Sequence, residues 1–203
     1  TIFLWNNSCC VSQKSFKTNK VKNMREQFWI WPSFFSKSDI KNINKIIKRK
    51  SFKGHDQAAN TTKTSTVDFC SYGFLKKYLC DISERINQIN ANKFGYFIYP
   101  FNDYDSVSVN TYSHKNTGEY DWHVDEESHC IHDIKFTILI NISEQKYEGG
   151  EFSLFRIGEQ KIKDLSKPGT VLMFKSITPH RVYPVTKGTR KTIAMFVKGP
   201  RFI

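Results

Sequence analysis

His180-Arg-Val-Tyr-Pro-Val-Thr-Lys-Gly-Thr-Arg190 is the stretch whose reading decides the fold. His180 opens one strand-like run, Lys187-Gly188 makes a turn, and Arg190 heads the last β-rich run together with Thr192. In a flat two-residue hairpin Arg190 would pair near Val185, roughly 17 Å along the strand from His180 at about 3.3 Å per residue. The two side chains can serve one ligand only if the chain crosses between two facing sheets at that turn. A double-stranded β-helix makes such a crossing.

The segments around this stretch point the same way. Phe94–Ile98, Ser106–Tyr112, Tyr120–Val124, Lys135–Ile142, Glu151–Phe155, Thr170–Phe174, Arg181–Val185 and Lys191–Val197 are short and rich in β-branched or aromatic residues. Asn116-Thr117-Gly118, Gly149-Gly150 and Pro168-Gly169 punctuate them. Upstream, Ser36 or Ser38 can cap a helix to about Lys50, with Ile40, Ile43 and Ile47 on one face. A second helix runs from about Tyr72 to Asn87, striped by Leu75, Tyr78, Leu79, Ile82, Ile86 and Ile89. Phe28–Phe35, broken by Pro32, suits a short strand and a turn.

The expected class is therefore mainly β with flanking helices. Its core is a jelly-roll, cupin-like double-stranded β-helix with the N-terminal helices packed on one sheet. Residues 1–23 read as a poorly structured leader. Residues 24–203 read as a single domain, with helical support over about 36–92 and the β-helix core over about 94–203.

The 203 residues hold 39% hydrophobic and 15% aromatic side chains, enough for a packed core. No apolar run approaches the roughly 20 residues of a membrane helix, and the short apolar Thr1–Trp5 has no basic leader. Five cysteines with no CxxC pair argue against a disulfide framework and a cysteine-rich zinc site. A soluble, cytoplasmic chain is expected. The 31 Lys+Arg against 19 Asp+Glu give +12. Solvated lysines are the first explanation, and an acidic or nucleic-acid partner is the second.

Chemistry is carried by His123-Val124-Asp125. Residues i and i+2 of a strand point to one face, so imidazole and carboxylate can bind one ion side by side. With His180 as a third ligand, two histidines and one carboxylate leave coordination positions open, the arrangement of non-heme iron(II) oxygenases. Zinc could take the same three groups, although structural zinc prefers four protein ligands. Arg190 can hold a ligand carboxylate by two parallel hydrogen bonds. His129 and His132 follow in a loop and read as solvated or substrate-facing, Trp122 as core, and His114 and His55 as ordinary.

Tyr112…Gly118-Glu-Tyr120-Asp-Trp-His123-Val-Asp125, Gly149-Gly-Glu-Phe152, Pro168-Gly169…Phe174…Ser176 and His180 to Arg190 together resemble the prolyl 4-hydroxylase-like 2-oxoglutarate oxygenases, above all the small bacterial and phage PKHD-type hydroxylases. The resemblance covers about residues 65–203. It implies Fe(II) on His123, Asp125 and His180, with 2-oxoglutarate and dioxygen as co-substrates and stimulation by ascorbate. It implies Arg190 on the C5 carboxylate of 2-oxoglutarate, with Tyr112, Tyr120 and Thr192 around the co-substrate. The implied reaction hydroxylates an unactivated C–H bond of a prolyl or other side chain in a peptide or protein, or of a small molecule. Two rivals remain: a nucleic-acid-directed oxygenase of the same chemistry, favoured by net charge, and a binding module that keeps the fold without catalysis. The oligomeric state is not legible in the sequence.

Overall fold

The computed structural model describes residues 28–54, 62–125 and 132–201. The 1–23 leader, His55 and His129 lie outside them. In chain order come β1 (Phe28–Trp31), α1 (Lys37–Lys50), β2 (Phe52–Lys53), β3 (Thr66–Ser71) and α2 (Tyr72–Ile89). A π-turn at Asn90–Phe94 ends this part. There follow β4 (Ser106–Ser113), β5 (Tyr120–His123), β6 (His132–Asn141), β7 (Glu148–Gly149), β8 (Phe152–Phe155) and β9 (Glu159–Lys161). The chain closes with β10 (Val171–Lys175), β11 (His180–Val182), β12 (Val185–Lys187) and β13 (Thr189–Pro200).

Seven strands form a large sheet in the order β1-β10-β6-β13-β4-β3-β2, and a small sheet runs β5-β11-β8-β9. The chain leaves the small sheet after Val182, pairs briefly as β12 with β7, and enters the large sheet at Thr189. The crossing expected between His180 and Arg190 is there, and the architecture is a double-stranded β-helix.

Period-two alternation gives the large sheet two apolar faces. Val107, Val109, Phe136, Ile138, Ile140, Met173, Ile193 and Met195 pack outward under the helices. The helices answer with Ile40, Ile43 and Ile47 of α1 and Leu75, Leu79, Ile82 and Ile86 of α2, all nearly inaccessible. Each such aliphatic side chain removed from water is worth about 1.5–3 kcal/mol. Ser36 caps α1 in a reciprocal box with Asp39, which contributes about 1 kcal/mol. Asn44 donates from inside α1 to the Ile142 carbonyl at 2.8 Å, fixing the helix against the end of β6.

The other face of the large sheet meets the small one. Leu139, Leu172, Phe174 and Ala194 pack there on Phe152, Leu154 and Val182. Toward the end lined by β4 and β13 this face turns polar, with Ser108, Asn110, Thr137, Arg190 and Thr192. A cavity of about 600 Å³ opens over them between the sheets.

Two local expectations change. Phe94–Ile98 is not a strand. Gly95 takes a left-handed φ of 70° after the π-turn, and Asn90 grips both backbone groups of Tyr96, donating to its carbonyl at 2.7 Å and accepting its N–H at 3.0 Å. A side chain has taken the place of a sheet partner. Conversely, Thr66–Ser71 pairs with β4 along its whole length, so the segment read as helical support also adds a strand to the large sheet. Among the described residues no helix is long and apolar enough to cross a membrane.

Candidate active site

β5 and β11 lie side by side, and His123 and His180 are direct cross-strand partners. Their ring centroids are 4.0 Å apart. Val124 turns outward, 38% exposed, and Asp125 comes back to the cavity with its backbone N–H held by the Ser176 carbonyl at 3.1 Å. Asp125 Oδ2 is 3.3 Å from His180 Nε2, and Oδ1 is 3.9 Å from His123 Nε2. Among the described residues these three form the one cluster of potential metal ligands, with all donor atoms within 4.8 Å of one another.

The second nitrogen of each imidazole is also committed. His123 Nδ1 lies 2.6 Å from the Asp121 carbonyl, and His180 Nδ1 lies 2.9 Å from the Thr178 carbonyl. A carbonyl only accepts, so each Nδ1 carries a proton and each Nε2 is the nitrogen left to face Asp125. Metal-binding histidines are oriented in this way. Burial, then the neighbouring His180, lowers His123 from its ordinary 6.5 to about 4. Burial works against ionisation of Asp125, but His180, the Thr137 hydroxyl and His123 outweigh it and hold the carboxyl below its usual value. Thr137 Oγ1 donates to Asp125 Oδ2 at 2.6 Å from β6 of the facing sheet.

Among the described residues Arg190 is the largest fully buried side chain, 1% exposed. It stands opposite Tyr112 in the β13–β4 ladder, its guanidinium carbon 5.2 Å from the Tyr112 ring centre. Its Nε and Nη2 are buried with no hydrogen-bond partner. A guanidinium in that state costs several kcal/mol unless an anion joins it. Gly150, at a left-handed φ of 65°, leaves the necessary room, since a Cβ there would meet Val185 at 2.9 Å and Arg190 Cδ at 3.0 Å. The donor set of two imidazoles and a carboxylate fits a divalent iron, and the two unpartnered guanidinium nitrogens fit a carboxylate beside it.

All seven residues singled out in the sequence line this one cavity. Tyr112 and Thr192 are buried, 4% and 1% exposed. Tyr120 stacks on the His123 ring at 3.4 Å between centroids. Sequence reasoning missed Thr137 and Lys63, which line the cavity too. The signal for Thr137 was one hydroxyl in the apolar run Phe136-Thr-Ile-Leu-Ile140. Trp122 is half-buried on the outer side of the small sheet, not in the core, with Arg181 5.4 Å over its ring and Phe155 at 5.8 Å. His114 is exposed, and His132 opens β6.

Residues 107–198 match the family model of the 2OG-Fe(II) oxygenase superfamily. A PKHD-type hydroxylase of Synechococcus sp. (strain CC9605) is 36% identical over 81 residues, which is 38% of this chain and 36% of that protein. The match therefore spans about a third of this relative's length. A Pseudomonas putida prolyl-4-hydroxylase superposes with a TM-score of 0.63 at 15% identity, over 87% of this chain and 94% of its own. The Trichoplax adhaerens prolyl hydroxylase, solved with a hypoxia inducible factor peptide fragment, gives 0.64 at 17% identity, over 84% and 83%. A viral collagen prolyl hydroxylase of Paramecium Bursaria Chlorella virus-1, solved as its 2OG complex, gives 0.60 at 18%, over 86% and 97%. These likenesses show a shared fold.

Proposed function

We propose that this chain is an Fe(II)- and 2-oxoglutarate-dependent dioxygenase that hydroxylates a prolyl or other side chain of a peptide or protein. The observation that carries the reading is Arg190: a buried guanidinium with two unpartnered donors, in the same cavity as a carboxylate and two imidazoles whose free nitrogens converge. His123, Asp125 and His180 would hold the iron. Arg190, with Tyr112 and Thr192 beside it, would hold the C5 carboxylate of 2-oxoglutarate. Iron with its co-substrate supplies oxidation of an unactivated C–H bond by dioxygen, one oxygen atom passing to the substrate as hydroxyl and the other to succinate, with carbon dioxide released.

The protein's own part is positioning. The two Nδ1–H bonds fix the imidazoles, Thr137 fixes the carboxylate, and apolar Leu139, Phe152, Val182 and Ala194 around them limit water. The mouth of the cavity is lined by Tyr99, Pro100, Phe101 and Tyr104, and aromatic-lined grooves suit extended, proline-containing segments. The peptide in the Trichoplax structure is consistent with such a substrate. The test is succinate release from 2-oxoglutarate with Fe(II), ascorbate and oxygen, with and without proline-containing peptides. Iron-dependent release that disappears in His123→Ala is expected. No release, with no 2-oxoglutarate binding by calorimetry, would favour a non-catalytic binding module.

A further inference from the structure

Lys63 precedes the 107–198 family match, yet its side chain lines the cavity. Residues 62–64 lie as a strap along the open edge of β5. Asp121 donates its N–H to the Thr62 carbonyl at 2.9 Å and Thr64 donates to the Glu119 carbonyl at 3.0 Å, which makes Lys63 and Tyr120 cross-strand partners. The ladder bonds flank this pair rather than join it, so both side chains leave the same face at the closest spacing an antiparallel ladder allows. Tyr120 faces the cavity, and Lys63 must follow. Its Nζ stands 4.5 Å from the centre of the Tyr120 ring that stacks on His123. Thr64 fastens the strap further. Its hydroxyl donates to the Thr117 carbonyl at 2.8 Å and accepts from the Glu119 N–H at 2.9 Å, and Asn116 Nδ2 donates to its carbonyl at 2.7 Å.

A strap so closely hydrogen-bonded presents one ammonium to the metal end of the cavity. Burial lowers that group to about 8, with Asp125 pulling the other way, so it stays mostly charged at neutral pH. We propose that Lys63 is a second carboxylate-binding residue of this cavity, set on the small sheet as Arg190 is set on the large one. The proposal rests on the oxygenase reading above. Two carboxylates could be meant: the C1 group of 2-oxoglutarate, or one carried by the primary substrate near the attacked carbon. Charge favours the substrate. Among the described lining residues Lys63, Arg190 and Lys198 face Asp105 and Asp125, and a divalent metal with a dianionic co-substrate leaves that single positive excess unchanged.

The experiment is calorimetric titration of the Mn(II)-loaded protein with 2-oxoglutarate and with 2-oxovalerate, which keeps the C1 carboxylate and lacks the C5 one. Wild type, Lys63→Met, Lys63→Arg and Arg190→Met are compared, each checked for a melting temperature no lower than that of wild type. Succinate release is then measured with proline peptides that differ only in Asp or Asn beside the proline. If the C1 group is the target, Lys63→Met weakens both acids about tenfold or more and Lys63→Arg recovers most of the loss. If the substrate is the target, both acids bind as in wild type, but the wild-type preference for the Asp peptide is lost in Lys63→Met. Unchanged affinity for both acids, with no peptide preference in wild type or none lost in the variant, overturns the proposal. Unchanged 2-oxoglutarate affinity in Arg190→Met overturns the oxygenase reading instead, whatever Lys63 does.

Discussion

The two walls of the cavity hold their functional groups by different means. The large sheet fixes Arg190 and Thr137 by continuous ladders: β13 pairs with both β4 and β6, and its alternate residues Ile193 and Met195 are fully buried under the helices. The small sheet is made of strands only three or four residues long, with an irregular register between His180 and Val182. Its histidines are oriented by hydrogen bonds from Nδ1 to the Asp121 carbonyl within β5 and to the Thr178 carbonyl before β11, and by neighbouring rings, Tyr120 on His123 and Phe174 on His180. Long paired strands therefore fix the wall that carries Arg190, and short strands with individual polar and ring contacts fix the wall that carries the histidines. Point substitutions should separate the two.

The largest effect is expected on the small sheet. His180→Ala removes one of three converging donors, so iron binding and succinate release should both fall to background while the far-ultraviolet spectrum is retained. Next comes the large sheet, where Arg190→Met should raise the 2-oxoglutarate requirement by about 2–5 kcal/mol, about 30-fold to several thousandfold, with metal affinity kept. Because Nε and Nη2 are unpartnered, the same variant should leave the ligand-free protein as stable as wild type or more so in denaturant titration. A loss of stability there would mean that the paired strands alone do not hold that wall.

Thr137→Val probes a hydrogen bond that joins the walls, from β6 to Asp125. About a 10- to 100-fold loss of metal affinity is expected, with little change in melting temperature. The smallest effect is a pH slope. His123 ionises near 6.5 when unfolded and near 4 in the folded, metal-free protein, so between those values the unfolded chain binds more protons. Metal-free stability should therefore fall as pH drops from about 6.5 toward 4, and His123→Gln should flatten part of that slope in denaturant titrations.

The fold and the placing of His123, Asp125, His180 and Arg190 around one cavity were legible as local pattern, while Tyr112, Tyr120 and Thr192 were pointed to by the family resemblance alone. Alternation with turn residues marked most of the strands from Ser106 on, and the separation of His180 from Arg190 required two sheets. What was not legible depended on particular side-chain and strand contacts that composition does not reveal. Thr66–Ser71 alternates polar and apolar residues only over Thr66-Val-Asp-Phe69, and its pairing with β4 is what makes it a strand. Lys63 looks like any lysine of a basic chain until its pairing with Tyr120 is known. Phe94–Ile98 has strand composition, but Asn90 claims the backbone of Tyr96. Trp122 has the composition of a core residue and lies on the side of its strand away from His123. That side turned out to be a partly open outer surface and not a core.

The most direct test of the central claim is anaerobic titration of the purified chain with Fe(II) and 2-oxoglutarate, followed by visible absorption. A 2-oxo acid chelating Fe(II) gives a charge-transfer band that neither component gives alone. One equivalent of each per chain should produce it. His180→Ala should not, and Arg190→Met should need far more 2-oxoglutarate to reach the same intensity. A wild-type chain that binds Fe(II) yet develops no band at saturating 2-oxoglutarate would contradict the account.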